Sequence, residues 1–304
     1  MVTINKPWGA LFAAAILWVG YGPWNAGGEH EALQNKRTAS GTVGTVKSAD
    51  GVEIRYETSG QNEPALVFVH GWSCDRSYWR AQMDFFSASY RVVAIDLAGH
   101  GESGLGRKDW TLAAFGHDVH AVIEALDLRK VVLVGHSMGG PVIVEAAQLM
   151  PDRVVALIPV DTFQDVDRRM SVEERDSFLV PMRADFRKAT EAVVKQFMFT
   201  ARSDTALIGR VARDMAASPP LVGISAMEHL FNYDEAAALA AVKAPMHLIN
   251  ADLWPTNLEA ARRRKPEVAL TVMPGVGHFL MMEEPEEFNR LLARAVRLVM
   301  SGQK

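Results

Sequence analysis

The sequence has very little cysteine and no strong excess of charge of either sign. Cys74 is the only cysteine among 304 residues, so an intramolecular disulfide and a cysteine metal cluster are both excluded. Cys74 also lacks a histidine at a useful spacing, and we expect it to be structural. The formal net charge of −4 excludes the basic surface typical of nucleic-acid-binding proteins. A short basic run at residues 262–265 interrupts this balance and is interpreted as a solvated helix end.

Long apolar runs are scarce as well, and the longest lies close to the start of the chain. Residues 7–24 are mostly apolar and follow Lys6. A positive residue before an apolar stretch is the pattern of a secretory signal, and the run is slightly short of the ~20 residues of a membrane span. We therefore predict that residues 1–26 form a signal peptide or an uncleaved membrane anchor, with a buried helix as the alternative. Residues 27–40 are polar and predict a linker, and the protein is expected to be exported, periplasmic or secreted.

The remaining sequence, residues 41–304, alternates between strand-like and helix-like stretches. Residues 45–48 and 52–56 alternate apolar and polar side chains around Asp50-Gly51, which predicts an antiparallel hairpin. Continuous apolar runs follow at residues 65–69, 92–95, 131–134, 155–160, 246–249 and 269–273. Such runs suit strands buried on both faces of a parallel sheet. Amphipathic helices are predicted at 110–126, 141–150 and 285–299. The fold class is therefore α/β, with a doubly wound, mostly parallel sheet.

One interval, at about residues 162–241, contains no strand-like run. It predicts a helical cap inserted between strands 6 and 7, over the sheet edge where ligands bind in open α/β folds. The cap is rich in methionine and phenylalanine, and we expect most of these side chains to be cap core and the others to form apolar walls of a pocket. They are Phe163, Met170, Phe178, Met182, Phe186, Phe197, Met198, Phe199, Met215, Met227 and Phe231.

The segment Gly135-His136-Ser137-Met138-Gly139 carries the clearest chemical signal. It follows the apolar run 131–134 and precedes a predicted helix. The two glycines suit a strand-to-helix turn that is too tight for a Cβ atom on either side of the serine. Such a turn presents the Ser137 hydroxyl at the top of the sheet. We therefore predict that Ser137 is a nucleophile rather than a structural turn residue.

A serine nucleophile needs a base, and His278 is the candidate. It lies in the loop Gly275-Val276-Gly277-His278, between the last strand-like run and the last helix. His117 and His120 are spaced as a metal-ligand pair, but no third ligand lies nearby, so no metal site is predicted. An oxyanion hole needs two backbone N–H groups, and we expect Met138 and Trp72 to supply them.

Four motifs together resemble the α/β-hydrolase superfamily. They are His70-Gly71-Trp72, the segment 96–103, the segment 135–140 and Gly277-His278-Phe279, in the order typical of that superfamily. The resemblance covers about residues 43–299. It implies a triad in the order nucleophile, acid, histidine.

The position of the acid departs from the usual pattern of the superfamily. Most relatives carry it in a Gly-x-x-Asp turn after the strand that begins near Met246, but here Trp254 occupies that position. Asp252 lies close to it in the sequence. Some relatives instead place the acid at the end of the preceding strand, where this chain has Asp161. The resemblance therefore leaves Asp161 and Asp252 as alternatives, and either would orient His278 and stabilise its charged form.

A serine at the turn favours acyl chemistry over the dehalogenation and epoxide opening of relatives with an aspartate nucleophile. We predict hydrolysis of a carboxylic ester, or a similar small acyl substrate with an apolar part, through an acyl-enzyme. The alternatives are a lactonase or amidase, a carbon–carbon bond hydrolase, a perhydrolase, or a non-catalytic ligand-binding module on the same fold. No metal or organic cofactor and no nucleic-acid partner is predicted. The N-terminal segment allows association with a membrane, and the sequence leaves the oligomeric state open.

Overall fold

The computed structural model describes residues 41–301. The predicted signal or anchor at residues 1–26 and the predicted linker at 27–40 lie outside the described residues. None of the helices within residues 41–301 combines the length and the apolar character that crossing a membrane requires.

Eight strands form one sheet with the order β1-β2-β4-β3-β5-β6-β7-β8. The first two pairings, β1 with β2 and β2 with β4, are antiparallel, and all later pairings are parallel. This is the predicted doubly wound, mostly parallel arrangement. The strands are β1 (Thr42–Lys47), β2 (Glu53–Ser59), β3 (Ala65–Val69), β4 (Val92–Ile95), β5 (Val131–His136), β6 (Val154–Val160), β7 (His247–Ala251) and β8 (Ala269–Met273).

The predicted hairpin and the burial of the central strands are confirmed, but β8, also predicted as buried, is a partly exposed edge strand in which only Met273 is buried. β1 and β2 pair in register from Thr42 with Thr58 to Lys47 with Glu53, around a turn in which Gly51 has a φ of 87°. Every residue of β3, β4, β5 and β7 is buried. Their continuous apolar sequences follow from this burial, because helices cover both faces of the sheet.

Eleven α-helices are described within residues 41–301, and a 3-10 turn, Arg76–Trp79, precedes the first. The helices are α1 (Arg80–Phe86), α2 (Leu112–Ala125), α3 (Gly139–Leu149), α4 (Val172–Ala184), α5 (Phe186–Phe197), α6 (Thr205–Ala216), α7 (Pro220–Phe231), α8 (Glu235–Ala241), α9 (Leu258–Arg264), α10 (Leu280–Glu283) and α11 (Pro285–Ser301). Helices α4 to α8 fill the interval between β6 and β7, where the cap was predicted.

Local chemistry explains where two helices begin relative to the predicted boundaries. Helix α2 begins at Leu112 rather than residue 110, because the Thr111 hydroxyl caps it by accepting a hydrogen bond from Ala114 N at 3.1 Å. Helix α3 begins at Gly139 rather than residue 141. It starts directly behind Ser137, whose carbonyl accepts from Gly140 N at 2.8 Å.

The basic run at residues 262–265 is only partly the solvated helix end that was expected. Helix α9 ends with three arginines, of which Arg263 and Arg264 are exposed and pair with Asp167. Lys265 is buried instead, with a relative exposure of 5%. Its ammonium donates to the carbonyl of Val242 at 2.9 Å and contacts Glu267, which satisfies the charge away from water.

Candidate active site

Ser137 lies at a sharp turn between β5 and α3. Its φ of 53° is in the left-handed region, which costs energy for a residue with a side chain. The turn is held by the hydrogen bond from Ser137 N to Val160 O at 2.9 Å. Strain of this kind persists only where the surrounding structure enforces it. Here it directs the hydroxyl away from the sheet and into a cavity that Ser137 lines.

The two glycines that flank this turn are required by close backbone contacts. A Cβ atom at Gly135 would lie 2.2 Å from the carbonyl oxygen of Gly139. A Cβ atom at Gly139 would lie 2.6 Å from the carbonyl oxygen of Val69 and 2.7 Å from that of His70. Real Cβ atoms do not approach backbone oxygens this closely, so the Gly-x-Ser-x-Gly pattern follows from the geometry of the turn.

The two amides predicted for the oxyanion hole lie beside this turn. Trp72 and Met138 line the same cavity as Ser137. A methyl group on Gly71 would lie 3.2 Å from Ser137 Cβ, which places the loop after β3 against the serine. Among the hydrogen bonds within residues 41–301, neither Trp72 N nor Met138 N has a protein acceptor. Within the described residues, both N–H groups are therefore unused donors.

His278 pairs with Asp161. The distance from His278 Nδ1 to Asp161 Oδ2 is 2.6 Å, and the two residues are only 3% and 1% exposed. The other carboxylate oxygen, Asp161 Oδ1, accepts a hydrogen bond from Ala251 N at 2.9 Å. Asp161 has a φ of 47° at the end of β6, and this turn directs its side chain toward the end of β7 and the His278 loop.

Asp252, the alternative acid, has a different partner. Its side chain is exposed, and Oδ1 accepts a hydrogen bond from Gly275 N at 2.8 Å. That contact ties the end of β7 to the loop that carries His278. The structure therefore brings Asp161 to the imidazole and places Asp252 on the outer side of the same loop.

The loop around His278 is anchored from several directions. His278 N donates to Met198 O at 2.8 Å, and Gly277 N donates to Glu283 Oε1 at 2.9 Å. His136, the residue before Ser137, donates from Nε2 to the carbonyl of His278 at 2.8 Å. This last bond joins the serine turn directly to the loop of His278, so it fixes the positions of the two candidate residues relative to each other.

Three other histidines near the site are held in the neutral form. Burial lowers the pKa of His136 well below its usual value, and the neighbouring His278 lowers it further. Burial also lowers the pKa of His70 and brings that of His100 to about 3. Charge is costly in a buried ring, so these side chains act as fixed hydrogen-bond partners. For example, His70 Nδ1 donates to Gly71 O at 2.7 Å, while Nε2 accepts from Leu97 N at 3.0 Å.

A cavity of about 620 Å³ lies between the sheet edge and the cap. Ser137, His278 and Asp161 line it, together with Trp72 and Met138. Seven of the eleven cap methionine and phenylalanine side chains are in the buried core, as expected, and seven line this cavity, three of them being in both groups. The seven that line the cavity are Met170, Phe178, Phe197, Met198, Met215, Met227 and Phe231.

Trp72 also connects the edge of the sheet that carries Ser137 to the cap. Its indole Nε1 donates to the carbonyl of Gly223 in α7 at 2.7 Å. Its ring contacts Phe178 and Phe186 of the cap in edge-to-face geometry, at centroid distances of 6.1 and 5.9 Å. Cys74, two residues later, is buried and lines the cavity, and burial raises its thiol pKa well above the usual value.

Two side chains around the site make contacts that the sequence does not indicate. Trp254, which occupies the usual position of the acid, packs edge-on against the His278 ring at 5.0 Å. Asn250 is fully buried and bridges β7 to the end of β6, because its Nδ2 donates to Thr162 O at 3.0 Å and its Oδ1 accepts from Thr162 N at 3.3 Å. Only the pairing of β6 with β7 reveals this contact.

No cluster of three or more His, Cys, Asp or Glu side chains arranged to hold a metal ion occurs in the part of the chain that the structure describes. His117 and His120, the candidate pair, lie with their ring centroids 6.4 Å apart on α2. His120 Nε2 contacts Glu124 at 3.8 Å.

Comparison with known proteins identifies a family and several relatives of parts of this chain. Residues 66–291 match the model of the Alpha/beta hydrolase family. The acetyltransferase component of the acetoin cleaving system of Pseudomonas putida is 29% identical over 256 residues, or 80% of this chain and 66% of that protein. A non-heme chloroperoxidase of Streptomyces lividans is 35% identical over 158 residues, 51% of this chain and 57% of that protein. The chain thus spans less than two thirds of the length of these curated relatives.

Solved structures match over nearly their full length. An esterase from Thermogutta terrifontis has a TM-score of 0.74 at 26% identity, and the match covers 85% of this chain and 99% of that one. An enol-lactonase from Burkholderia xenovorans LB400 has a TM-score of 0.72 at 21% identity, covering 84% of this chain and all of that one. The second likeness is one of fold alone.

Proposed function

The chain belongs to the alpha/beta hydrolase family, and we propose that within it the protein is a serine hydrolase that cleaves a carboxylic ester with an apolar part. The observation that carries this proposal is the 2.6 Å hydrogen bond between His278 Nδ1 and Asp161 Oδ2, at the wall of a cavity that Ser137 also lines. A carboxylate in this position keeps the Nδ1 proton in place. The Nε2 lone pair of His278 is then available to accept the proton of Ser137.

In the proposed reaction, Ser137 Oγ attacks the ester carbonyl while His278 Nε2 takes the hydroxyl proton. The negative charge that forms on the carbonyl oxygen is bound by the free amides of Trp72 and Met138. His278 then gives its proton to the departing alcohol, which leaves an acyl group on Ser137. Water attacks this acyl-enzyme with His278 again as the base, and the carboxylic acid and free Ser137 are released.

Asp161 is the acid of this proposal, in preference to Asp252. Both Asp161 oxygens are engaged, one by His278 and the other by Ala251 N, so the carboxylate is fixed in position. Its burial strengthens the interaction with the imidazolium that forms during the reaction, since less water screens the two charges. Asp252 supports the same loop from outside through Gly275 N.

The walls of the cavity support an apolar substrate part. Cap side chains such as Phe178, Met215 and Met227 face the catalytic residues across the cavity. Its volume of about 620 Å³ is in the range of small-molecule sites. Among the curated relatives, a protein of Acinetobacter calcoaceticus named bifunctional esterase/perhydrolase is 41% identical over 100 residues, 32% of this chain and 36% of that protein. This local likeness also supports ester chemistry.

The direct test is hydrolysis of 4-nitrophenyl esters of increasing acyl length by the purified protein, beside the Ser137→Ala variant. We expect release of 4-nitrophenol by the wild type and a loss of about 10⁴-fold or more in kcat for the variant. Equal rates for the two proteins, after the uncatalysed rate is subtracted, would overturn the proposal.

A further inference from the structure

One part of the cavity differs from its apolar walls. Asp165, Arg169 and Glu235 line the cavity and are close enough for their charges to interact. We call these three residues the polar corner. Asp165 and Arg169 belong to the loop after β6, and Glu235 is the first residue of α8. The proposed reaction uses none of them.

The arginine of the polar corner has its donors engaged by the protein. Arg169 Nη2 donates to Asp234 at 2.5 Å, and Nη1 donates to the carbonyls of Val166 and Arg168 at 3.0 and 3.1 Å. Neighbouring Arg168 pairs with Glu174 at 2.9 Å. With its charge balanced by Asp234, Arg169 is poorly placed to bind an anionic ligand.

Glu235 is the opposite case. Its side chain is partly buried, and within residues 41–301 no hydrogen bond or ion pair engages its carboxylate. Burial raises its pKa to about 7, while Arg169 lowers it and Asp165 raises it. A carboxylate withdrawn from water without a partner is costly, and a donor group on a ligand would relieve that cost.

We infer that Glu235 accepts a hydrogen bond from a protonated amine of the substrate, so that the preferred ester combines an apolar body with an ammonium group. Arg168 also lines the cavity, but it pairs with Glu174 as Arg169 pairs with Asp234, so the carboxylates of Glu235 and Asp165 are in excess. A cation therefore suits the corner better than an anion or a purely apolar group. The inference rests on the proposed function, because it assigns the bound amine to the ester substrate. Binding of an amine can nevertheless be measured without catalysis.

The test measures binding of hexylammonium and of hexan-1-ol to Ser137→Ala protein by calorimetry. The same ligands are then titrated into Ser137→Ala/Glu235→Gln and, as a matched control, into Ser137→Ala/Glu286→Gln. Glu286 is also an acid in the first turn of a helix, but it is exposed and lies outside the cavity lining. At about pH 8, where the Glu235 carboxylate is mostly ionised, we expect Glu235→Gln to weaken hexylammonium binding about tenfold or more.

The pH dependence provides a second readout. At about pH 6 most Glu235 side chains are protonated, so the effect of Glu235→Gln on hexylammonium binding should shrink several-fold. The amine stays protonated throughout this pH range. Hexan-1-ol should show no comparable pH-dependent difference.

Equal hexylammonium affinity with and without Glu235 at about pH 8, or an equal loss in the Glu286 control, would overturn the inference. If the Glu235→Gln protein fails to fold, the preference of the Ser137→Ala protein for hexylammonium over hexan-1-ol decides. That preference must rise from about pH 6 to pH 8, and a constant preference would contradict the inference. Absence of ester hydrolysis by the wild type would instead overturn the proposed function and leave these binding results valid.

Discussion

Replacing Asp161 by asparagine should abolish most activity by changing the protonation state of His278 rather than its position. The backbone determines how the new amide is oriented. Ala251 N donates to Oδ1 of Asp161 at 2.9 Å, so the carbonyl oxygen of the asparagine must occupy that position. Its NH₂ group then faces His278 Nδ1, where the carboxylate oxygen stood at 2.6 Å.

An NH₂ group at that position donates to Nδ1, so His278 must carry its proton on Nε2. That nitrogen can then no longer accept the proton of Ser137. In the general triad template, this error of tautomer costs about 10⁴-fold in kcat. At about 1.4 kcal/mol per factor of ten, the transition state loses about 5.5 kcal/mol.

The assay compares kcat for a 4-nitrophenyl ester in the wild type, Asp161→Asn and Asp252→Asn. We expect Asp252→Asn to remain within about threefold of the wild type, because the asparagine Oδ1 can still accept from Gly275 N. Imidazole ¹⁵N chemical shifts should show the Nε2–H tautomer in Asp161→Asn. A kcat within tenfold of the wild type for Asp161→Asn, with the fold intact, would refute this reasoning.

Three further outcomes are expected. Gly135→Ala should lower the free energy of unfolding by about 1–3 kcal/mol or more in urea denaturation, because the new methyl would lie 2.2 Å from the Gly139 carbonyl oxygen; an unchanged midpoint would contradict this. Trp72→Phe should lower the free energy of unfolding by about 1–3 kcal/mol and raise KM, because the Gly223 carbonyl of the cap loses its 2.7 Å donor. A variant with the stability and KM of the wild type would contradict a role of this hydrogen bond in holding the cap. His100 has a pKa of about 3 in the folded protein and protonates more readily in the unfolded chain. The free energy of unfolding should therefore fall as the pH drops below about 6.5, by up to about 1.4 kcal/mol per pH unit. A free energy of unfolding that stays constant with pH in urea titrations would contradict this prediction.

The serine turn could be predicted from the sequence because its constraints are local. Gly135, Ser137 and Gly139 fall within five consecutive residues, and the apolar run before them fixes a buried strand. The same holds for the hairpin around Gly51. In each case the residues that determine the backbone geometry of the turn are close to one another in the sequence.

The partner of His278 could not be predicted in this way. The choice between Asp161 and Asp252 depends on where the ends of β6 and β7 lie relative to a loop more than 100 residues from Asp161. The left-handed turn at Asp161 and the bond from Ala251 N decide the direction of the carboxylate. The edge-to-face contact of Trp254 with the His278 ring likewise depends on the packing of segments that are distant in the sequence.

The cap is where sequence patterns were least informative. Its helices were predicted as a group, but the side they turn toward the sheet depends on packing between elements. From the sequence alone, Met215 and Met227 fit the cap core and the cavity wall equally well, and the structure places both in the cavity wall. In the sequence, Glu235 and Glu286 are both acidic residues in the first turn of a helix. Only the structure shows that Glu235 is partly buried and lines the cavity.

The central claim is that Ser137 is a nucleophile activated by His278. Reaction with a fluorophosphonate, followed by intact-mass measurement and peptide mapping, tests it most directly. We predict one adduct per chain, located on Ser137, with no adduct in Ser137→Ala and a strongly slowed reaction in His278→Ala. An unmodified wild-type protein, or an adduct that persists in Ser137→Ala, would contradict the claim.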